Sequence, residues 1–152
     1  MLTNPITEPV LVVEDDPNDA LLLKIALQKN GLDGNIHFVS DGQEAMDYLS
    51  GIPPYDDRQK HPFPSLIYTD LKMPRQDGFE VLKWLNDRPD CSVIPIIVLS
   101  ASAEDRDIKK AYQLGANAYL VKPSTINQLT EMLHTCMRFW GICQKPAGPA
   151  KC

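Results

Sequence analysis

The sequence predicts an α/β fold in which one parallel sheet is covered by helices on both faces. Three observations predict it. Five short, near-continuously apolar runs recur along the chain, as strands buried on both sides require. Segments with helical signals, a capping residue followed by spaced apolar residues, separate them. The 152 residues are one domain's worth, enough to bury a core.

The elements follow in order. Val10 to Val13 is the first strand. Asp16 caps a helix with Pro17 at its first position and Asp19 in its first turn; Leu21, Leu22 and Ile25 continue it to the stop at Asn30-Gly31. Ile36 to Val39 is the second strand. Asp41, with Glu44 three residues on, forms a capping box for a helix carrying Ala45, Met46 and Leu49 and closed by Gly51. Leu66 to Thr69 is the third strand. Phe79, Val81, Leu82 and Leu85 mark a helix that cannot pass Pro89. Ile96 to Leu99 is the fourth strand, and Ser102 is expected to cap a helix that ends at Leu114-Gly115. Ala118 to Val121 is the fifth strand, and Ser124 to Phe139 a closing helix. Alternation of this kind gives a doubly wound sheet.

Two segments depart from the pattern. Residues 52–64 (IPPYDDRQKHPFP) hold four prolines and many charges, and read as a long surface connection. Residues 141–152 (GICQKPAGPAKC) read as a flexible tail. The expected organisation is an N-terminal tail over 1–8, one domain over 9–140 and the C-terminal tail over 141–152.

The formal net charge of -5 and the lack of a lysine/arginine run argue against nucleic acid as a partner. No apolar stretch approaches the roughly 20 residues of a membrane helix, and MLTNPITEP lacks the basic and apolar parts of a signal peptide. A soluble cytoplasmic protein with no membrane partner is expected. Cys91, Cys136, Cys143 and Cys152 form no CxxC pair and read as reduced thiols.

In a doubly wound sheet, ligands sit outside the carboxyl ends of the strands. Glu14, Asp15 and Asp16 follow the first strand and Asp70 the third. Ser100-Ala101 end the fourth and Lys122-Pro123 the fifth. Asp16 before Pro17 is explained as a helix cap. Asp70 is not, because Pro74 and the later helix start at DGFEVL leave it outside any first turn. Like charges gathered at one edge call for a hard cation, and Mg²⁺ suits carboxylates, water and phosphate. Glycine-rich phosphate cradles are absent. A carboxylate beside Mg²⁺ can be a nucleophile towards phosphorus, with the metal and Lys122 neutralising charge and Ser100 and the Ala101 N–H holding oxygens. A phosphatase of the aspartyl-phosphate type would need a second acid two residues past Asp70, where Lys72 stands. His37, His61 and His134 lie away from the strand ends.

VLVVEDDP, LIYTDLKMPRQDG, VLSAS and GANAYLVKP resemble the four signature segments of response-regulator receiver domains, from Val10 to about Phe139. The resemblance implies a flavodoxin/CheY-like sheet of strand order 2-1-3-4-5 with five helices. By motif, Asp70 takes the phosphoacceptor position. Glu14, Asp15, Asp70 and the backbone carbonyl of Lys72 take those of the metal site. Ser100 matches the switch hydroxyl, Ala101 the residue after it and Tyr119 the rotameric aromatic. Lys122 matches the family lysine and Pro123 a proline whose bond is usually cis there. The first acid is Glu where the family has Asp, so Glu14 is expected to act through a water and Asp15 directly.

The implied function is that of a single-domain response regulator, phosphorylated on Asp70 by a sensor histidine kinase. Such a protein catalyses only its own phosphorylation and dephosphorylation, and an intermediate phosphate shuttle is the alternative. The 52–64 insertion and Phe139-Trp140 resemble small regulators paired with phytochrome kinases. With no DNA-binding module after Phe139, output is expected by protein contact. A homodimer is expected through the fourth helix, fifth strand and fifth helix, where Ile108, Ala111, Tyr112, Leu133 and Met137 are more apolar residues than a solvated face requires, some of them serving the core.

Overall fold

The computed structural model describes residues 8–32, 34–149 and 152; most of the expected N-terminal tail lies outside them. The five expected strands form as β1 (Val10–Val13), β2 (Ile36–Val39), β3 (Leu66–Thr69), β4 (Ile96–Ser100) and β5 (Ala118–Val121). They pair in parallel, in the order β2-β1-β3-β4-β5. β1, β3 and β4 are buried throughout, whereas the edge strands β2 and β5 are only partly covered.

Alternation along the strands sends side chains to two cores. Leu11, Val13, Ile67 and Val98 pack on α2 (Gly42–Ser50), α3 (Gly78–Asn86) and α4 (Asp105–Gln113). Val10, Val12, Tyr68, Ile97 and Leu99 pack on α1 (Pro17–Lys29) and α5 (Ile126–Ile142). Reversal of the strand order between β1 and β3 opens a crevice at their carboxyl ends.

Helix starts follow local chemistry. Asp16 accepts the N–H groups of Asn18 and Asp19, Asp41 that of Glu44, and Asp77 that of Glu80, each satisfying a donor the helix cannot. The start of α2 draws on a second source. Carbonyls of Arg75 and Gln76, in the β3–α3 loop, accept the N–H groups of Gln43 and Gly42, and the Arg75 guanidinium pairs with Asp41 at 2.8 Å. Arg75 and Gln76 have φ of 45° and 69°, a conformation costly for residues with a Cβ. The bonds to α2 offset that cost and lock the loop that follows Asp70.

Several expectations are corrected. Ser102 does not cap α4: its hydroxyl accepts the Glu104 N–H at 3.3 Å, before the helix, and donates to Asp107 at 2.6 Å, while the helix begins after Glu104 with no side-chain cap. α5 begins after its cap Thr125 rather than at Ser124, and runs to Ile142. The helix therefore passes Phe139, where the sequence pattern ended it, by three residues. Cys91 and Cys152 form a disulfide rather than two free thiols; their Cα atoms stand 5.4 Å apart, within bonding range, because the tail's end folds back onto the α3 side of the core. Cys136 and Cys143 remain free thiols. The Lys122-Pro123 bond is not cis; among the described residues the cis bond is Pro53-Pro54. Trans is the intrinsic preference of an X-Pro bond by about 0.5–1 kcal/mol, and the contacts of Lys122 here are made without overruling it.

The 52–64 connection has no helix or strand, as expected, but it is anchored. Arg58 donates to the carbonyls of Tyr48 and Leu49 at 2.8 and 2.9 Å, satisfying the end of α2. It also stacks on Phe63, 4.0 Å from the ring centre. Tyr48, Tyr55 and His61 close into an aromatic cluster beneath it.

Candidate functional site

Four strand ends meet at the carboxyl edge of the sheet. β1 delivers Glu14 and Asp15, β3 Asp70, β4 Ser100 and β5 Lys122, because each stands at or just past the last residue of its strand. Carboxylate oxygens of Glu14, Asp15 and Asp70 lie within 4.8 Å of one another. Glu14 is buried, Asp70 partly covered and Asp15 exposed. Three hard oxygen donors held this close, with water able to reach one side, form a donor set suited to Mg²⁺ or Mn²⁺.

Lys122 bridges the cluster. Its ammonium lies 2.6 Å from Glu14 Oε1, 2.9 Å from Asp19 Oδ2 and 3.1 Å from Asp70 Oδ2. The Lys122 backbone is held by a bond from its N–H to the Ser100 carbonyl at 2.8 Å. Burial by itself would lower the lysine's pKa. Hydrogen bonds to Glu14 and Asp19, with the charge of Asp70, outweigh it and hold the ammonium above its ordinary value. Burial raises Glu14 above the usual carboxylate range, and the Lys122 bond opposes that rise. Glu14 Oε2 accepts the Asp16 N–H at 3.3 Å, so both of its oxygens are engaged.

Asp70 is fixed from two sides. Oδ1 accepts the Leu71 N–H at 2.7 Å, while Oδ2 faces Lys122. Behind it, Gly78 sits so near the Asp70 carbonyl oxygen and Leu71 Cα that a Cβ would collide with both. An open cleft beside Asp70 is lined by Lys72, Ser100, Ala101, Ser102, Ala103 and Glu104. Buried Ser100 accepts the Ser102 N–H on its hydroxyl at 3.2 Å. Tyr119, in the middle of β5, donates its hydroxyl to the Ser102 carbonyl at 2.8 Å, tying β5 to the cleft rim.

The structure thus brings together Glu14, Asp15, Asp70, Ser100, Ala101 and Lys122, with Lys72 on the rim and Tyr119 one contact away. Pro123 adjoins the site, and its peptide bond is trans. The three histidines lie elsewhere: His37 and His61 flank Tyr48, and His134 faces Asn30. Asp19 is the residue that sequence reading missed, having been assigned only to a helix first turn. The available signal was its place in the first turn of α1, which begins directly beyond the end of β1 at the same edge of the sheet.

Comparison with known proteins matches residues 10–134 to the response regulator receiver domain. The probable methanogenesis regulatory protein FilR2 of Methanothrix harundinacea is 31% identical over 93% of this chain and 88% of its own length. Response regulator Rcp1 of Synechocystis is 34% identical over 86% of this chain and 87% of its own. The crystal structure of Rcp1 in its Mn²⁺-bound form superposes with a TM-score of 0.81 at 33% identity, covering 92% of this chain and 99% of that one. The phosphorylated cyanobacterial phytochrome response regulator RcpA gives 0.83 at 33% identity, with the same coverage.

Proposed function

The chain belongs to the response-regulator receiver family, and from that premise we propose that it is a single-domain response regulator of a two-component system, taking a phosphoryl group from a sensor histidine kinase onto Asp70. One observation carries the assignment to Asp70. Its free oxygen faces an ammonium at 3.1 Å, at the mouth of a cleft and within the acidic cluster.

The reaction needs little covalent help, since phosphoryl transfer depends on position and charge. An Asp70 oxygen forms the new bond to phosphorus, and the donor's bond to phosphorus breaks with its electron pair leaving on the donor. The Leu71 N–H holds the other carboxylate oxygen, so the nucleophile enters in one orientation. Lys122 turns one N–H to a phosphoryl oxygen, and Ser100 and the Ala101 N–H meet the others. Glu14, Asp15, Asp70 and the Lys72 carbonyl would hold Mg²⁺, which supplies neutralising charge between the carboxylates and the phosphoryl oxygens. The Mn²⁺-bound form of Rcp1 supports a divalent cation here.

Signalling follows from two bonds that must break. Ser100 gives up the Ser102 N–H to reach the phosphoryl group, and Tyr119 leaves the Ser102 carbonyl to turn inward. Both changes reach α4, β5 and α5, and we assign self-association to that face. Ala111, Leu133 and Met137 are the members of the expected set that serve the core. Exposed Tyr112 and Val121 remain, and Phe139 and Ile142 lie towards the end of α5. The kinase is assigned to the phytochrome type on the likeness to RcpA. A cytoplasmic location is assigned as well; among the described residues no helix is long and apolar enough to cross a membrane.

The test is to trap the modified residue. Borohydride converts an aspartyl phosphate to homoserine, and peptide mass spectrometry then reads its position. Homoserine at position 70 is expected; homoserine elsewhere would overturn the assignment.

A further inference from the structure

Lys122 has three N–H donors and no acceptor, and each donor faces one carboxylate: Glu14, Asp19 and Asp70. Two of those carboxylates have other duties under the reading above. Glu14 belongs to the acidic trio that suits a divalent cation. Asp70 gives up negative charge on the oxygen that bonds to phosphorus. Asp19 stands outside the trio, and among the described residues its carboxylate bonds to nothing but Lys122. It is also the most open of the three, with 39% of its side chain exposed against 1% for Glu14.

We propose that Asp19 is a positioning residue that keeps the Lys122 ammonium aimed at Asp70 while Glu14 and Asp70 are engaged with cation and phosphoryl group. This rests on the Asp70 reading and extends it. A lysine side chain is a flexible four-carbon stem carrying a compact charge. Loss of its hold on Glu14 would free the ammonium to leave the cleft, unless a carboxylate on a fixed element retained it. α1 supplies that element, since Asp19 lies in its first turn, behind the Asp16 cap and Pro17.

The competing account is plain. An acid in a first turn favours the helix dipole and stabilises the helix without regard to Lys122. A double-mutant cycle separates the two, because only residues that act through one another are non-additive. Rates of Mg²⁺-dependent phosphorylation by acetyl phosphate would be measured at saturating donor for wild type, Asp19→Asn, Lys122→Gln and the double variant of the full chain, with Asp16→Asn as the helix-start control. Asp19→Asn should be slower by about three- to tenfold, the difference between a charge-assisted hydrogen bond and the neutral one that the amide oxygen still accepts. It should cause no further loss once Lys122 is Gln, and Asp16→Asn should stay within about twofold of wild type.

NMR of the Lys122 ammonium gives a second readout that does not depend on rate. The signal should broaden in Asp19→Asn and persist in Asp16→Asn. A labelled wild type with Asp19→Asn unaffected in rate and signal overturns this inference alone, as does an equal loss in the Lys122→Gln background. A wild type that takes no label overturns the Asp70 reading and this inference with it.

Discussion

Gly78 shows how a residue without chemistry of its own sets the chemistry of another. It opens α3 directly against the backbone of Asp70 and Leu71, where a Cβ would meet main-chain atoms that cannot give way. Gly78→Ala should therefore destabilise the fold by about 1–3 kcal/mol, the usual range for overpacking, and slow labelling of Asp70. Urea unfolding checks the first and acetyl phosphate the second; unchanged values in both would mean that the close approach is not needed. The residues at the strand ends were legible because each must follow an apolar run, and a charge there has no packing reason. Asp19 was not legible. Its contact is with a residue 103 positions away, and its helix-start position already supplied a sufficient local explanation.

Among the elements, β2, α2 and the 52–64 connection act as one block, bound by Arg58 and the aromatic cluster. His37 of β2 belongs to it. Burial and the nearby His61 lower the His37 pKa below its ordinary 6.5. A group depressed in the folded state contributes stability above its unfolded pKa and loses it as pH falls through the folded value. Acidification below about 6.5 should thus weaken wild type more than His37→Gln, as denaturant midpoints between pH 7.5 and 5.5 would show. Equal losses in both chains would exclude His37 as a source. Strand positions and most helix starts were readable because Asp16, Asp41 and Pro17 act locally. The α4 cap was misread because Ser102 Oγ does accept a backbone N–H, but that of Glu104, which stands before the first residue of the helix. The anchoring of 52–64 was hidden because Arg58 works across the turn onto α2, where charge and proline content alone point to a loose loop.

For the whole molecule, alternation of strand and helix made the fold class readable with no contact known, while the strand order came from the resemblance to receiver domains. What escaped was assembly-scale detail: which apolar residues of α4 and α5 turn inward, and where Cys152 comes to rest. Tyr112, Val121, Phe139 and Ile142 remain exposed, and a homodimer through α4, β5 and α5 should form with Trp140 at its margin and tighten with a phosphoryl mimic. Sedimentation of wild type and Trp140→Ala, with and without beryllofluoride, tests this; a monomer throughout would refute it. The central claim, that Asp70 is the phosphoacceptor of a cation-assisted site, is tested most directly by phosphoryl uptake from acetyl phosphate. Wild type with Mg²⁺ should take up one phosphoryl group per chain, while wild type with chelator and Asp70→Asn with Mg²⁺ should take up none. Equal uptake by wild type and Asp70→Asn would contradict it.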